Sequence, residues 1–271
     1  MESVLERIVA RKRAEVAQAR ETVPLEVLHE RIAELGRPRN FFRALVDPHD
    51  RENSRVIAEV KRKSPSAGVI RADFDPVAIA KGYHRAGASA ISCLTDEADF
   101  GGKLEYIHQI KDAMPLPVLR KDFIVDEYQV WESRAAGADA ILLIAEVLPE
   151  GAIIDFQILA TELGLTTLVE VHTVENLLMV KEHIGFPHES YSLLGINNRN
   201  LATMTTSLAH TFRLAELVEN RDVLVSESGI GTREDLRKLR EHGVNIALVG
   251  ERLMKEPDPE KALRMLLGEN Q

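Results

Sequence analysis

The stretch Ala136-Gly137-Ala138-Asp139-Ala140-Ile141-Leu142-Leu143-Ile144 decides how this chain folds. A helical pattern over residues 128–136 stops at Gly137, and an apolar run over 140–144 follows almost at once. Glycine there accepts the left-handed conformation that ends a helix. The same join recurs at Ala86-Gly87-Ala88, Leu163-Gly164-Leu165 and His242-Gly243-Val244, each leading toward another β-rich run.

Outward from that join, eight apolar runs are found, at 56–60, 90–94, 118–120, 140–144, 167–171, 193–196, 223–226 and 246–249. They recur at roughly 25 to 35 residues, the length of a βα unit. Helical patterns follow them at 76–86, 104–113, 128–136, 150–163, 174–183, 208–219, 233–242 and 259–267. Several open on capping or first-turn residues, with Asp75 before Pro76, Thr173 before Val174, and Thr232 two residues before Glu234. Eight strict alternations predict an α/β fold of the closed (β/α)8 type, a TIM barrel, over an open doubly wound sheet of five or six strands. No Gly-x-Gly-x-x-Gly follows the first strand, so a dinucleotide fold has no direct support.

Residues 1–50 stand outside the repeat. Val4, Ile8, Val9, Val16 and Ala19 predict one amphipathic helix, and Leu25, Leu28, Ile32, Ala33 and Leu35 a second. An aromatic pair, Phe41-Phe42, precedes a polar linker at 47–50. The expectation is one domain over 1–271, with a helical extension at 1–50 and a barrel at 51–271; the extension either closes the barrel bottom or covers the active mouth.

The chain has 271 residues, 45% hydrophobic and 28% charged, which suits a globular protein with a real core. A net charge of −9 favours neither nucleic acid nor an anionic membrane, and no apolar stretch approaches a bilayer span. The N-terminus is charged and periodic rather than signal-like. The single cysteine, Cys93, lies in an apolar run and reads as buried rather than reactive. Together these predict a cytoplasmic location. The nine histidines show no ligand spacing, so neither metal nor cofactor is expected.

In a TIM barrel the chemistry lies where strands end. The first run ends in Glu59-Val60-Lys61-Arg62-Lys63-Ser64-Pro65-Ser66, and Glu59 and Lys61 share a face because alternate strand residues do. Lys121, Glu170, Asn197, Arg199, Glu227 and Ser228 stand at the ends of other strands. One such charge is ordinary, but charges on five strands converging on one rim are not, since unpaired charges there cost several kcal/mol each. The set suits proton transfer around a carbonyl or hydroxyl. His172 follows Glu170-Val171 and is expected in a supporting or exposed role rather than a catalytic one. Glycine turns at Ser228-Gly229-Ile230-Gly231 and Gly250-Glu251-Arg252 follow strands 7 and 8, where barrels hold phosphate, and Arg199 can add a bidentate contact.

Five segments in order resemble the indole-3-glycerol-phosphate synthase family of tryptophan biosynthesis. They are the Glu59 to Ser66 segment, Leu119-Arg120-Lys121-Asp122-Phe123-Ile124, Leu168-Val169-Glu170-Val171-His172, Gly195-Ile196-Asn197-Asn198-Arg199-Asn200-Leu201 and Ser226-Glu227-Ser228-Gly229-Ile230. The resemblance implies ring closure of 1-(2-carboxyphenylamino)-1-deoxyribulose 5-phosphate with loss of carbon dioxide and water, without a cofactor. By the same carry-over Lys121 is the acid on the ketone, and Glu170 stabilises the cationic intermediate and moves protons. Lys61, held by Glu59, binds the substrate carboxylate and serves the dehydration. Asn197, Glu227 and Ser228 position groups, while Ser64, Arg199, Gly229, Gly250 and Glu251 form the phosphate end. The extension is implied to cover that end, with Phe41 or Phe42 near the mouth.

Lys103, Asn200 and Arg252 depart from the commonest family pattern, Arg252 at the phosphate end. A phosphosugar isomerase or aldolase, and a barrel that only binds a phosphorylated ligand, remain as alternatives. The expected partner is a small phosphorylated substrate; the chain is expected to be a monomer, alone or beside another enzyme of the pathway.

Overall fold

A computed structural model of the chain describes residues 3–47, 53–200 and 203–269. Eight parallel strands close into a barrel: β1 (Arg55–Val60), β2 (Ala90–Leu94), β3 (Val118–Lys121), β4 (Ala140–Ile144), β5 (Thr166–Val171), β6 (Ser192–Asn197), β7 (Leu224–Glu227) and β8 (Ile246–Val249). Closure is made by β1 against β8, with Ala58 beside Val249. This is the TIM barrel read from the repeat. The seventh strand starts one residue later than expected, because Val223 belongs to a short 3-10 turn. Lys121 and Glu227 are the last residues of their strands rather than the first of the loops.

All four glycines at the helix-to-strand joins have positive φ: Gly87 at 87°, Gly137 at 88°, Gly164 at 74° and Gly243 at 78°. Asp75 accepts from Val77 and Ala78 N–H, Thr173 accepts from Asn176 N–H, and Thr232 forms a reciprocal box with Asp235 rather than with Glu234. Two predicted helices are shorter in the structure: 174–183 becomes Val174–Val180 with a 3-10 turn after it, and 208–219 becomes Ala209–Ala215.

Alternation along each strand divides the core. Val56, Ala58 and Val60 pack toward the helices, while Ile57 joins Ala90, Leu119, Ala140, Leu168, Leu193 and Ile246 inside the barrel. Cys93 is buried, which pushes its thiol up to about 12.

The extension forms three helices, α1 (Val4–Thr22), α2 (Leu25–Glu34) and α3 (Phe41–Leu45). Both suggested locations are occupied, by different helices. Phe41 and Leu45 pack into the interior cluster with Ala90, Ala140 and Ile246, which stand where strands begin, so α3 plugs the bottom. This corrects the expectation of Phe41 or Phe42 near the mouth. The N-terminal turns of α1 instead line the mouth, through Ser3, Val4, Leu5 and Ile8. The buried face of α1 also differs from the predicted stripe. Val4 is exposed and Lys12 is buried between Ile8 and Val16. Lys12 Nζ reaches Asp96 at 3.0 Å and Asp122 at 2.9 Å, and Arg11 reaches Asp96 at 2.7 Å. These partners follow β2 and β3, so α1 is pinned to that side of the mouth. Most of the polar linker expected at 47–50 lies outside the described residues.

Candidate active site

A cavity of about 700 Å³ opens at the strand C-termini. Glu59, Lys61, Lys121, Glu170, Asn197, Glu227 and Ser228 line it, and so do Ser64, Arg199, Gly229, Gly250 and Glu251. Leu142, Ile144, Leu248 and Phe123 supply apolar wall. A second cavity, of about 610 Å³, lies between α1 and the loops after β2 and β3. Its buried charged groups Lys12, Arg120 and Asp122 pair with one another and with neighbours.

The centre of the mouth is Lys121. Its Nζ lies 2.7 Å from Glu170 Oε2 and 3.6 Å from Glu227 Oε2. Burial opposes its charge, but Glu170, Glu227 and Glu59 outweigh that and hold it protonated above the ordinary lysine range. Burial also opposes the charge of Glu170, yet Lys121 and His172 bring it down to about 2. Glu227 goes the other way: burial, and then the Glu170 charge, push it well above the carboxylate range. Of the two carboxyl groups, Glu170 is therefore the one favoured as the anion, and Glu227 the one that holds its proton more tightly. Room for Glu227 comes from Gly195 on the neighbouring strand, where a Cβ would stand 2.2 Å from Glu227 Oε1.

Glu59 and Lys61 project together as the strand periodicity requires, with Nζ 2.6 Å from Oε1. Glycine makes space here too. A Cβ on Gly250 would lie 2.4 Å from Glu59 Oε1 and 2.9 Å from its Cβ. Asn197 Nδ2 donates to Glu170 Oε1 at 3.1 Å and its Oδ1 accepts the Arg199 N–H at 3.0 Å.

At the opposite rim Ser228 and Gly229 both have positive φ, 66° and 76°. The side chain at 228 is thus held in a conformation that few residues other than glycine adopt. Arg199 contacts Ser66 Oγ at 3.1 Å and Glu251 Oε2 at 3.1 Å. Ser64 Oγ lies 3.3 Å from Ser66 Oγ and accepts from Ala67 N–H. Glu251 is also paired with Lys255 at 2.7 Å. Arg252 lines the cavity but turns to an ion pair with Glu256, and Lys103 pairs loosely with Glu105 at 3.6 Å. Asn200 Oδ1 accepts from Thr203 N–H at 3.0 Å, a turn contact. Arg62 is exposed, and Lys63 donates to the Ala98 carbonyl at 2.7 Å.

Sequence reasoning missed Glu146 and Gly195; of the supporting or exposed places expected for His172, the structure gives it a buried one beside Glu170. Glu146 stands two residues beyond β4 and grips His172, with its Oε2 at 3.0 Å from Nδ1. The strand-end search applies to it equally. Gly195 carried the signal of a glycine inside a strand, which marks a close approach.

A charged lysine, a carboxylate held ionised and a second carboxyl group that keeps its proton more tightly, in one partly apolar cavity, can serve as proton donor, acceptor and second donor at the same reacting centre. The twin-glycine rim with Arg199 can take an anionic group. Solved barrels with similar folds include a 3-hexulose-6-phosphate synthase, at TM-score 0.63 and 15% identity over 79% of this chain and 98% of that one. A Pyrococcus furiosus tryptophan synthase alpha-subunit aligns at TM-score 0.58 and 16% identity, over 80% and 98% of the two chains. At such identities they speak for the fold alone.

Sequence comparison goes further. An indole-3-glycerol phosphate synthase of Rhodospirillum rubrum is 43% identical over 268 residues, 99% of this chain and 100% of the relative. One of Geobacillus kaustophilus is 46% identical over 268 residues, 98% and 97% of the two chains. The sequence model of indole-3-glycerol phosphate synthase matches residues 5–266. With that span and those identities, the chain belongs to the indole-3-glycerol phosphate synthase family.

Proposed function

We propose that this chain closes the indole ring, converting 1-(2-carboxyphenylamino)-1-deoxyribulose 5-phosphate to indole-3-glycerol phosphate with loss of carbon dioxide and water. The observation that carries this reading is Lys121 held charged between Glu170 and Glu227 at the mouth of the barrel. The Lys121 ammonium donates to the ketone oxygen as the ring carbon attacks, and the ketone becomes a hydroxyl. Positive charge that develops on the ring and its nitrogen faces the Glu170 carboxylate. Lys61, aligned by Glu59, binds the substrate carboxylate until carbon dioxide leaves, then supplies the proton with which the hydroxyl departs as water. Glu170 accepts the proton released as the indole forms.

Asn197 orients Glu170, and Glu227 and Ser228 position the substrate's hydroxyl groups. The phosphate is assigned to Ser64, Arg199 and the Gly229 and Gly250 turns, with Glu251 holding Arg199 until the anion arrives. No cofactor is needed: the new carbon–carbon bond forms as the ketone π bond breaks and its oxygen takes a proton from Lys121, and the remaining steps are loss of carbon dioxide, loss of water and proton transfers, with no net redox change. A Schiff-base aldolase would need a neutral lysine as nucleophile. Lys121, surrounded by carboxylates, is held in the opposite state.

We read the chain as one domain, with 1–50 as extension and 51–271 as barrel, working as a cytoplasmic monomer. All twelve assigned groups line one cavity at the strand ends. No helix among the described residues is long and apolar enough to cross a membrane. The test is turnover of the carboxyphenylamino substrate, read by indole fluorescence. Wild-type protein should give product, and Lys121→Ala should fold yet lose activity by at least about a hundredfold, the weight of a general acid. A folded wild type without product, or near-normal Lys121→Ala, overturns the reading.

A further inference from the structure

His172 stands two residues beyond Glu170, on the same face, because alternate residues of a strand point the same way. Its ring is fixed from the loop after β4. Glu146 Oε1 accepts the His172 backbone N–H at 2.8 Å, and Oε2 faces Nδ1 at 3.0 Å. Asn176 Nδ2 donates to Glu146 Oε1 at 2.7 Å, so the gripping carboxylate is itself held. With Nδ1–H directed at Glu146, the other nitrogen, Nε2, lies 3.4 Å from Glu170 Oε1. That atom is buried without a hydrogen-bond partner, on a side chain only 8% exposed that lines the cavity. The same Glu170 oxygen accepts from Asn197, while the other takes the Lys121 ammonium.

We propose that His172 is a positioning residue for Glu170: clamped by Glu146, its imidazolium holds that carboxylate ionised and turned between Asn197 and Lys121. The inference deepens the proposed function and rests on the role given there to Glu170. The groups facing His172 sum in its favour. Burial opposes its charge, and so does Lys121, while Glu146 and Glu170 attract its proton; His210, on the helix Ala209–Ala215, is itself lowered by burial, Arg213 and the His172 charge. The balance raises His172 above the ordinary histidine value, and Glu146 stays ionised despite burial. When pH rises through the raised value, the imidazolium is lost and Glu170 loses a partner.

The test compares wild type, His172→Gln and Glu146→Gln. Nitrogen-15 NMR of the histidine-labelled full chain reads the titration of His172 without any turnover. Wild-type His172 should titrate above the ordinary value, and in Glu146→Gln about one pH unit lower, as expected when one close charge is removed. In His172→Gln, kcat should fall about tenfold with KM little changed, and the alkaline limb that follows the His172 titration should vanish. A wild-type His172 that titrates at or below the ordinary value overturns the proposal even if His172→Gln does not fold. So does a folded His172→Gln with the wild-type kcat and pH profile. Glu170→Gln keeps the two readings apart. If it turns over normally, the role of Glu170 fails; if it is dead while His172→Gln behaves as wild type, only the present inference fails.

Discussion

Glu170→Gln and Glu227→Gln remove chemically identical groups from either side of Lys121, yet they should have opposite consequences for stability. At an effective dielectric of about 20, a unit charge at 2.7 Å attracts the ammonium by about 6 kcal/mol and one at 3.6 Å by about 5 kcal/mol. The difference, roughly one pK unit, is enough to decide which carboxylate ionises when both cannot. Glu170 is lowered from 4.5 to about 2, so its stabilisation is present above pH 4.5 and is lost as pH falls from there toward 2. Glu227 is raised from 4.5. Its neutral folded form is favourable below pH 4.5, and that contribution disappears as pH rises through the folded value.

Glu227→Gln therefore removes a carboxyl group whose charge the site disfavours, and at pH 7 it should leave stability within about 0.5 kcal/mol of wild type or raise it. Glu170→Gln should cost about 2 kcal/mol. The loss stays below the roughly 3–5 kcal/mol of a broken buried pair because Glu227, freed from its neighbour's charge, ionises and takes over Lys121. The double variant loses that rescue and should cost about 4 kcal/mol, leaving a coupling of about 2 kcal/mol in the cycle. Urea unfolding of the four proteins at pH 7 measures all three numbers. Equal costs for the two single variants, or simple additivity, would refute the assignment of charge to Glu170 and proton to Glu227.

Gly250→Ala places a Cβ 2.9 Å from the Cβ of Glu59, an atom fixed to β1 that no rotamer can move aside. It should destabilise by about 2 kcal/mol, lowering Tm by several degrees, and reduce turnover through displaced Glu59; an unchanged Tm refutes the close approach. Lys12→Met should cost about 2–3 kcal/mol, less than a fully orphaned pair because Asp96 keeps Arg11 and Asp122 keeps Arg120 and Thr95. Limited proteolysis should then cut the α1 region faster than in wild type, and equal rates would show that the buried lysine does not pin the helix.

The barrel was legible because its signals are local. A glycine with positive φ at residue 137 or 243 stops a helix by its own sterics, and an apolar run such as 140–144 can satisfy itself only as a buried strand. The same locality makes Glu59 and Lys61 partners on the strength of their spacing, since two-residue periodicity fixes their common face. What the sequence could not determine is everything set by distant pairs and by the surrounding dielectric. Lys12 reads as a solvated break in an amphipathic helix until Asp96 and Asp122, more than eighty residues on, close around it. Phe41 reads as a mouth residue by resemblance, and only packing against the starts of the strands sends it to the bottom. His172 gains its orientation from Glu146, 26 residues earlier. Glu170 and Glu227 are equivalent letters at equivalent strand ends. Which one is favoured as the anion follows from burial, from a 0.9 Å difference in their distances to one buried lysine and from the His172 and Asn197 groups beside Glu170, all of which exist only once the barrel has closed.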